Sequence, residues 1–176
     1  KMIKIISGDI TTQTTTAIVN AAHTSLLAGS GISGAIHRVA GAELERECRE
    51  IGSCPTGEAR ITDAYNLPCK HVIHAVGPRY WDGTKGEKEL LIQCYKSIFA
   101  LTEKHGIETI SIPAIGTGIY RYPIKEATEI AFDMTLAAQE TQNLSVVFVC
   151  FDEDTKGVYE ETYRSKLFII SIQSKT

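Results

Sequence analysis

The segment NAAHTSLLAGSGISGAIHRVAG, residues 20–41, sets the fold class of this chain. It begins as the end of an apolar strand, continues through a loop that contains Gly29, Gly31 and Gly34, and then enters a helical pattern. Glycines at such a junction let backbone N–H groups approach an anion, and a helix N-terminus favours negative charge. The spacing matches neither GxGxxG nor GxxxxGK[ST]. On this loop alone, phosphate binding and a flexible connector are therefore equal alternatives.

Short apolar segments alternate with amphipathic helical patterns along the rest of the chain. The patterns predict strands at 2–7, 15–22, 57–65, 71–78, 108–116, 144–151 and 167–172, and helices at 33–52, 85–106, 123–140 and 152–165. This alternation predicts an α/β protein, a three-layer α/β/α sandwich with a mixed, centrally parallel sheet. No repeat or linker interrupts it, so residues 1–176 are predicted to form one domain.

Composition narrows the possible functions. The net charge is −3, which argues against strong nucleic-acid binding. The apolar runs are too short to cross a bilayer, and the first residues turn polar too soon for a signal peptide. Five cysteines without a CxxC pair favour reduced thiols over disulfides or a zinc site. We expect a cytoplasmic protein that uses no metal and no cofactor and has no membrane partner.

A second glycine turn changes the interpretation of the first. Gly116-Thr117-Gly118, within IPAIGTGIYRYP (112–123), follows a predicted buried strand and precedes a helix. Loops at the carboxyl ends of parallel strands meet at one edge of the sheet, and two such loops suit a diphosphate. Neither loop carries a Walker lysine or a Rossmann fingerprint, which argues against an ATPase and against hydride transfer. The pattern favours a bound nucleotide diphosphate that is not phosphorylated.

Two further residues fit a nucleotide but also fit simpler roles. Asp9 follows the first predicted strand, where its carboxylate can accept a hydrogen bond from an exocyclic amine such as adenine N6 or can cap a turn. Phe151 ends a predicted central strand and offers a flat wall for a base.

Seven motifs together resemble one family. They are SGDIT (7–11), IVNAA (18–22), GAIHRVAG (34–41), CPTGEARIT (54–62), HVIHAVGP (71–78), IPAIGTGIYRYP (112–123) and VVFVCFDED (146–154). They resemble the macrodomains, and most closely the bacterial branch similar to O-acetyl-ADP-ribose deacetylases and mono-ADP-ribosyl hydrolases. The resemblance runs to about Tyr163, and the last eleven residues have no counterpart in it. It implies ADP-ribose, free or attached to a protein, as the ligand.

The resemblance also assigns roles to residues. Asp9 would accept from the adenine amine, the Ile10 amide would contact the ring, and Phe151 would border it. Asn20 would organise the distal ribose. Backbone groups of two loops would hold the phosphates: Ser30, Gly31, Ile32, Ser33 and Gly34 one of them, and Gly116, Thr117, Gly118, Ile119 and Tyr120 the other.

The chain departs from the family at two positions where active members carry Asn and Asp, which are here His23 and Ser33. A serine hydroxyl is not ionised near neutral pH, and loss of a general base slows a reaction by about 10²–10⁴. His23 can replace the base, because an imidazole titrates near physiological pH, or can simply wall off the ribose. Tyr120 would shield the reacting centre. We name His23 and Tyr120 as candidate catalytic residues.

The predicted function is recognition of ADP-ribose with slow hydrolysis of ADP-ribosylated protein or O-acetyl-ADP-ribose. The first alternative is a reader module that binds ADP-ribose without turnover. The second is RNA binding or protein regulation, which the acidic composition disfavours.

Overall fold

The structure, a computed structural model, describes residues 1–175. The strands are β1 (Ile3–Ser7), β2 (Ala17–Ala21), β3 (Ala59–Asp63), β4 (His71–Ala75), β5 (Thr109–Pro113) and β6 (Ser145–Cys150). The helices are α1 (Gly31–Ala40), α2 (Ala42–Ile51), α3 (Glu87–Lys104), α4 (Ile124–Thr141) and α5 (Glu153–Gln173), and a 3-10 turn spans Ile10–Thr12.

The six strands form one sheet in the order β1-β6-β5-β2-β4-β3. Neighbouring strands are parallel except β3, which pairs antiparallel with β4 at the edge. The prediction of a mixed, centrally parallel sheet is confirmed. Because the parallel strands share one direction, the loops after β1, β6, β5, β2 and β4 all leave the sheet at the same edge.

Helices cover both faces of the sheet and complete the three-layer sandwich. On one face, α1 and α2 pack through Ile36 and Leu44 against Ile18 and Val72, and all four are fully buried. On the other face, α3, α4 and α5 pack on a larger core. Its largest buried side chains are Tyr95, Phe132, Phe148 and Tyr159.

The helix predicted at 33–52 is two helices. Gly41 separates them with φ of 93°, a left-handed conformation that a side-chain-bearing residue adopts only with strain. A Cβ at Gly41 would also lie 3.0 Å from the side chain of Asn66. The chain therefore turns at Gly41 so that both α1 and α2 pack on the same face of the sheet.

The prediction of a strand at 167–172 is wrong, because this segment is the continuation of helix α5. A short apolar run does not by itself distinguish a strand from a helix. The helical pattern that Asp152 caps continues unbroken, and Lys166 pairs with Asp133 of α4 at 2.9 Å. Beyond that ion pair, α5 exposes Leu167, Phe168 and Ile169 to solvent.

In the part of the chain that the structure describes, no helix is long and apolar enough to cross a membrane. The cellular compartment and the single-domain organisation stay predictions.

Candidate functional site

A cavity of about 740 Å³ opens at the edge of the sheet where the parallel strands end. Its lining residues are Gly8, Asp9, Ile10, Ala21, Ala22, His23, Gly29, Ser30, Gly31, Ile32, Ser33, Ala35, Gly77, Pro113, Ala114, Ile115, Gly116, Thr117, Gly118, Ile119, Tyr120, Val149, Phe151, Asp152 and Thr155. No lysine or arginine is among them. Any anion in this cavity therefore has only neutral donors and the side chain of His23 to meet its charge.

The loop after β5 offers a row of unused donors. Within residues 1–175, none of the backbone N–H groups from Gly116 to Tyr120 donates a hydrogen bond. The loop is nevertheless closed at its base, since the Tyr122 N–H donates to the Gly116 carbonyl at 2.8 Å and the Arg121 N–H to the Gly118 carbonyl at 3.1 Å. Gly116 permits this turn with φ of 85°. Free N–H groups on a fixed loop make a concave site for an anion.

The loop after β2 presents a second row. The N–H groups of Ala28, Gly29 and Ser30 donate no hydrogen bond within the described chain. The next three belong to the first turn of α1, where helix geometry leaves them without an intrahelical acceptor. Ser30 is the N-cap residue, but its side chain makes no capping hydrogen bond. This end of α1 therefore keeps its donors and its favourable dipole for an external anion.

Gly34 lies behind this row and fixes its position. A Cβ at Gly34 would lie 2.4 Å from the carbonyl oxygen of Gly29, a distance that no packed side chain tolerates. The glycine thus lets the loop approach the helix. Gly34 itself does not line the cavity.

The residues that follow β1 and β6 form one wall of the cavity, here called the β1/β6 wall: Asp9, Ile10, Phe151 and Asp152. The Asp9 carboxylate accepts through Oδ1 from the Thr11 N–H at 2.9 Å and from the Thr11 hydroxyl at 2.7 Å. It caps the 3-10 turn, and its Oδ2 accepts no hydrogen bond within residues 1–175. The Phe151 side chain is 85% exposed, so an apolar surface faces the cavity without a protein partner.

Asp152 also serves the fold. Its carboxylate accepts from the Thr155 N–H at 2.8 Å and caps α5. This hydrogen bond and the Thr155 hydroxyl lower the pKa of Asp152, so the carboxylate stays ionised at neutral pH.

On the other side of the β5 loop lies the β2/β4 wall, formed by His23, Ser33 and Gly77. His23 is exposed, and its ring centroid lies 6.2 Å from that of Tyr120, tilted by 50°. Ser33 is only 6% exposed, and its hydroxyl has no hydrogen-bond partner. A buried hydroxyl without a partner is unfavourable unless a ligand or water completes it. This wall therefore combines one imidazole ring with one buried hydroxyl that has no partner among the described residues.

Asn20 lies below the cavity rather than in its wall. Its side chain is fully buried and meets His74 Nδ1 at 3.1 Å, and the other ring nitrogen of His74 meets the Thr62 hydroxyl at 2.9 Å. Burial, with a smaller contribution from the charge of His37, lowers the pKa of His74 to about 3. The observed role of Asn20 is to join β2 to β4. A direct contact with a sugar stays a prediction.

Apart from Asn20 and Gly34, the candidate residues from the sequence lie together in the cavity lining, and the structure adds residues that the sequence did not single out. These are Ala21, Ala22, Gly77, Pro113, Ala114, Ile115, Val149 and Thr155. Most are small or apolar residues at the ends of strands, and such residues carry no chemical signature. Only the rule that ligands bind beyond strand ends points to them.

Among residues 1–175, neither the cysteines nor the metal-ligating side chains form a competing site. All five cysteines are free, and burial raises the pKa of the Cys48 thiol to about 11 and of the Cys94 thiol to about 12. A thiol that stays protonated is a poor nucleophile. Among residues 1–175 no three His, Cys, Asp or Glu side chains come close enough to hold a metal ion.

The fold and the cavity match those of a known family. Residues 19–131 match the Macro domain family. A macro domain-containing protein of Mesorhizobium japonicum is 49% identical over 159 residues, which are 89% of this chain and 90% of that protein. O-acetyl-ADP-ribose deacetylase 1 of Pantoea vagans is 46% identical, over 90% of this chain and 96% of its own length.

A solved structure agrees with these relatives. A mutant of the Oceanobacillus iheyensis macrodomain, solved with ADP-ribose, superposes with a TM-score of 0.89 at 40% identity and covers 93% of this chain and 92% of that one. This chain therefore belongs to the Macro domain family, which confirms the resemblance drawn from its motifs.

Proposed function

We propose that the cavity binds ADP-ribose, with its diphosphate between the two rows of free N–H groups. The observation that carries this proposal is that both rows, residues 29–33 and residues 116–120, line the same cavity and their N–H groups have no acceptor within residues 1–175. Backbone donors without partners are unfavourable, and a diphosphate supplies oxygen acceptors to both rows at once. The solved relative that holds ADP-ribose supports the choice of ligand.

The β1/β6 wall suits the adenine. Phe151 supplies an exposed flat surface on which a purine stacks. Asp9 keeps Oδ2 for the exocyclic amine while Oδ1 caps the turn, so the two alternatives for Asp9 are compatible. The sugar at the other end of the diphosphate then lies against the β2/β4 wall.

We further infer that the chain hydrolyses ADP-ribose derivatives slowly. A water molecule held between the diphosphate and the distal ribose attacks either the anomeric carbon that bears a protein carboxylate or the carbonyl carbon of an acetyl ester. The new bond forms to the water oxygen. At the anomeric carbon the glycosidic C–O bond breaks and the protein leaves as a carboxylate; at the acetyl carbon the acyl C–O bond breaks, and the ribose oxygen leaves with the proton that His23 has taken from the water. His23 takes the proton of the water, and Tyr120 shields the reacting centre. The name of the Pantoea vagans relative supports the acetyl ester as one substrate.

The slow rate follows from Ser33. Its hydroxyl has no neighbour that could accept its proton, because no hydrogen-bond partner lies within reach among the described residues. An unactivated serine neither deprotonates water nor attacks a substrate at neutral pH. His23 is therefore the one basic group of the β2/β4 wall.

Titration calorimetry with ADP-ribose tests binding, with ADP and adenosine as shorter ligands. We expect micromolar affinity for ADP-ribose and weaker binding of adenosine, which lacks the diphosphate. If the folded protein binds none of the three, the proposal is wrong.

A second assay tests turnover. An auto-modified ADP-ribosyltransferase carrying labelled ADP-ribose is incubated with the wild type and with His23→Ala, and label release is followed. Slow release by the wild type and none by the variant supports His23 as the base. A known active hydrolase serves as the positive control for the substrate. If that enzyme removes the label but this protein leaves it in place even at high concentration, the chain is a reader module without turnover.

A further inference from the structure

The loop between β4 and α3, residues 76–86, extends the β2/β4 wall beyond the cavity. Gly77 lines the cavity, and three residues later the Tyr80 N–H donates to the Tyr120 carbonyl at 2.8 Å. The Tyr80 ring also meets the Tyr122 ring edge-on, with centroids 4.9 Å apart. The loop is thus tied to the β5 loop at the point where Tyr120 borders the cavity.

Glu87 holds this loop in one conformation. Its side chain is buried, and its two carboxylate oxygens accept from the N–H groups of Trp81, Asp82, Gly83 and Lys85 at 2.6–3.1 Å. Burial opposes ionisation, but these hydrogen bonds outweigh it and lower the pKa of Glu87 to about 2. The carboxylate therefore stays charged at any physiological pH, and the loop stays assembled.

The fixed loop presents an arginine stacked on a tryptophan. The Arg79 guanidinium carbon lies 4.7 Å from the centroid of the Trp81 ring, and both residues are exposed, Trp81 by 65%. Arg79 makes no hydrogen bond or ion pair within residues 1–175. Stacking occupies the face of the guanidinium and leaves the N–H groups at its edge for a planar anion such as a carboxylate.

We propose that Arg79 and Trp81, here called the Arg79–Trp81 surface, bind the polypeptide that carries the ADP-ribose group, at a carboxylate-rich segment beside the modified residue. This inference rests on the proposed function, because the ligand must enter the cavity with its distal ribose toward the β2/β4 wall. The polypeptide attached to that ribose then leaves the cavity next to Tyr120, and Tyr80 connects Tyr120 to the Arg79–Trp81 surface.

Three properties of this surface favour a peptide. Tryptophan and arginine are the side chains that contribute most at protein interfaces. A loop that is already ordered loses little conformational entropy on binding. A carboxylate on the partner would also give the Arg79 guanidinium the ion pair that it lacks within residues 1–175. Single-stranded nucleic acid usually binds several stacked aromatics in a basic groove, whereas the net charge here is −3 and the surface holds one tryptophan.

Trp81 is the only tryptophan of the chain and is therefore its own fluorescent reporter. The probes are free ADP-ribose, a synthetic Glu-rich peptide with a stably linked ADP-ribosyl group, the same peptide with Gln in place of Glu, and poly-adenylate. Calorimetry gives the affinities. We expect the Glu-rich peptide to bind about tenfold more tightly than free ADP-ribose and to change the fluorescence of Trp81. The Gln peptide should lose most of that advantage.

The variants Arg79→Ala and Trp81→Ala should bind free ADP-ribose as the wild type does but should lose the tenfold preference for the Glu-rich peptide. Phe168→Ala removes an aromatic of similar exposure, 67%, from α5 and should change neither affinity. Unchanged peptide affinity in both loop variants, with free ADP-ribose still bound, would overturn the docking surface and leave the proposed function intact. Failure of the wild type to bind free ADP-ribose would overturn both. Binding of poly-adenylate that Trp81→Ala abolishes would replace the peptide by nucleic acid.

Discussion

The two walls of the cavity differ in how closely their side chains follow the family pattern. The β1/β6 wall carries the carboxylate of Asp9 and the exposed ring of Phe151, as the resemblance predicts. The β2/β4 wall carries His23 and Ser33 at the two positions where the resemblance leads us to expect Asn and Asp. The two rows of backbone N–H donors lie between these walls and belong to neither of them alone. In the proposed function, ligand binding therefore depends on the backbone donors and on the β1/β6 wall, whereas hydrolysis depends on the β2/β4 wall.

Ser33→Asp should produce the largest effect, because it gives the β2/β4 wall a general base. We expect hydrolysis to accelerate by about 10²-fold or more. The helix dipole favours a carboxylate in the first turn of α1 by about 0.3–1 kcal/mol, but the site is only 6% exposed, so desolvation of the charge outweighs this and the free energy of unfolding of the free protein should fall. Label release and urea unfolding measure the two effects. Ser33→Asn, which has the shape of the Asp variant without its charge, is the matched control: it should not accelerate hydrolysis and should be destabilised less than Ser33→Asp.

Gly34→Ala tests the donors that both walls share. The new Cβ would displace the Gly29 carbonyl, which should lower the free energy of unfolding by about 1–3 kcal/mol. Moving the loop should also remove about two amide hydrogen bonds to the charged diphosphate, which amounts to about 100-fold in ADP-ribose affinity. Helix propensity alone favours alanine over glycine by about 1 kcal/mol. A loss of stability in Gly34→Ala must therefore come from the contact between the new Cβ and the Gly29 carbonyl.

Gly29→Ala is the control for this prediction, since a Cβ at Gly29 meets nothing within 4 Å. Urea unfolding should show its stability to be close to that of the wild type. If both alanine variants behave alike, the close approach of Gly34 does not hold the loop.

Asp9→Asn tests the β1/β6 wall alone. The wild type should prefer ADP-ribose about tenfold over the hypoxanthine analogue, which presents an oxygen where adenine has its amine. Asparagine can donate to that oxygen, so the variant should lose the preference or reverse it. Calorimetry with the two ligands measures the ratio. The same ratio in the variant and the wild type would contradict a contact between Asp9 and the base.

The smallest effect concerns the polar residues beneath the β2/β4 wall. The pKa of His74 is about 3, below its ordinary value of 6.5, so the unfolded chain binds more protons than the folded chain between these two values. Stability is therefore complete above pH 6.5 and falls as the solution is acidified. From pH 6.5 to 5.5 the loss from His74 is about 1 kcal/mol, and His37, whose pKa is also lowered by burial, acts in the same direction.

Urea unfolding between pH 6.5 and 5.5 measures how steeply the free energy of unfolding depends on pH. This range lies above the pH values at which most carboxylates titrate. His74→Gln should be less stable at neutral pH. Its free energy of unfolding should also depend less steeply on pH, because its unfolding takes up about one proton fewer. An unchanged slope would mean that His74 is not the group responsible.

Sequence patterns predict this fold well where they reflect the backbone. The parallel strands, the two glycine loops and the position of Asp9 follow from alternation and from the glycines. The break at Gly41 is less visible, because the apolar periodicity continues through it and only the left-handed conformation of the glycine reveals the turn. The end of α5 fails for a different reason. LFIISI suits a strand by composition, but a strand needs a neighbour, and which edge is available depends on the whole sheet.

The candidate site also has features that the sequence predicts and features that it does not. Loops at strand ends are predictable from topology, and the motifs add their roles. The sequence does not reveal that Asn20 faces His74 in the core, because a residue at the end of a strand can point to either side of it. Nor does the sequence connect Tyr80 to Tyr120, since that contact depends on where two loops meet in space.

The absence of lysine and arginine from the cavity lining has a consequence for regulation. Peptide amides carry no ionisable proton and no reactive nitrogen, so neither acetylation nor a change of pH alters the groups proposed to hold the diphosphate. Neutral donors also make affinity less sensitive to ionic strength than a cationic site would be. Control of such a site would therefore act through the supply of ligand or the abundance of the protein rather than through a change of charge on the backbone donors.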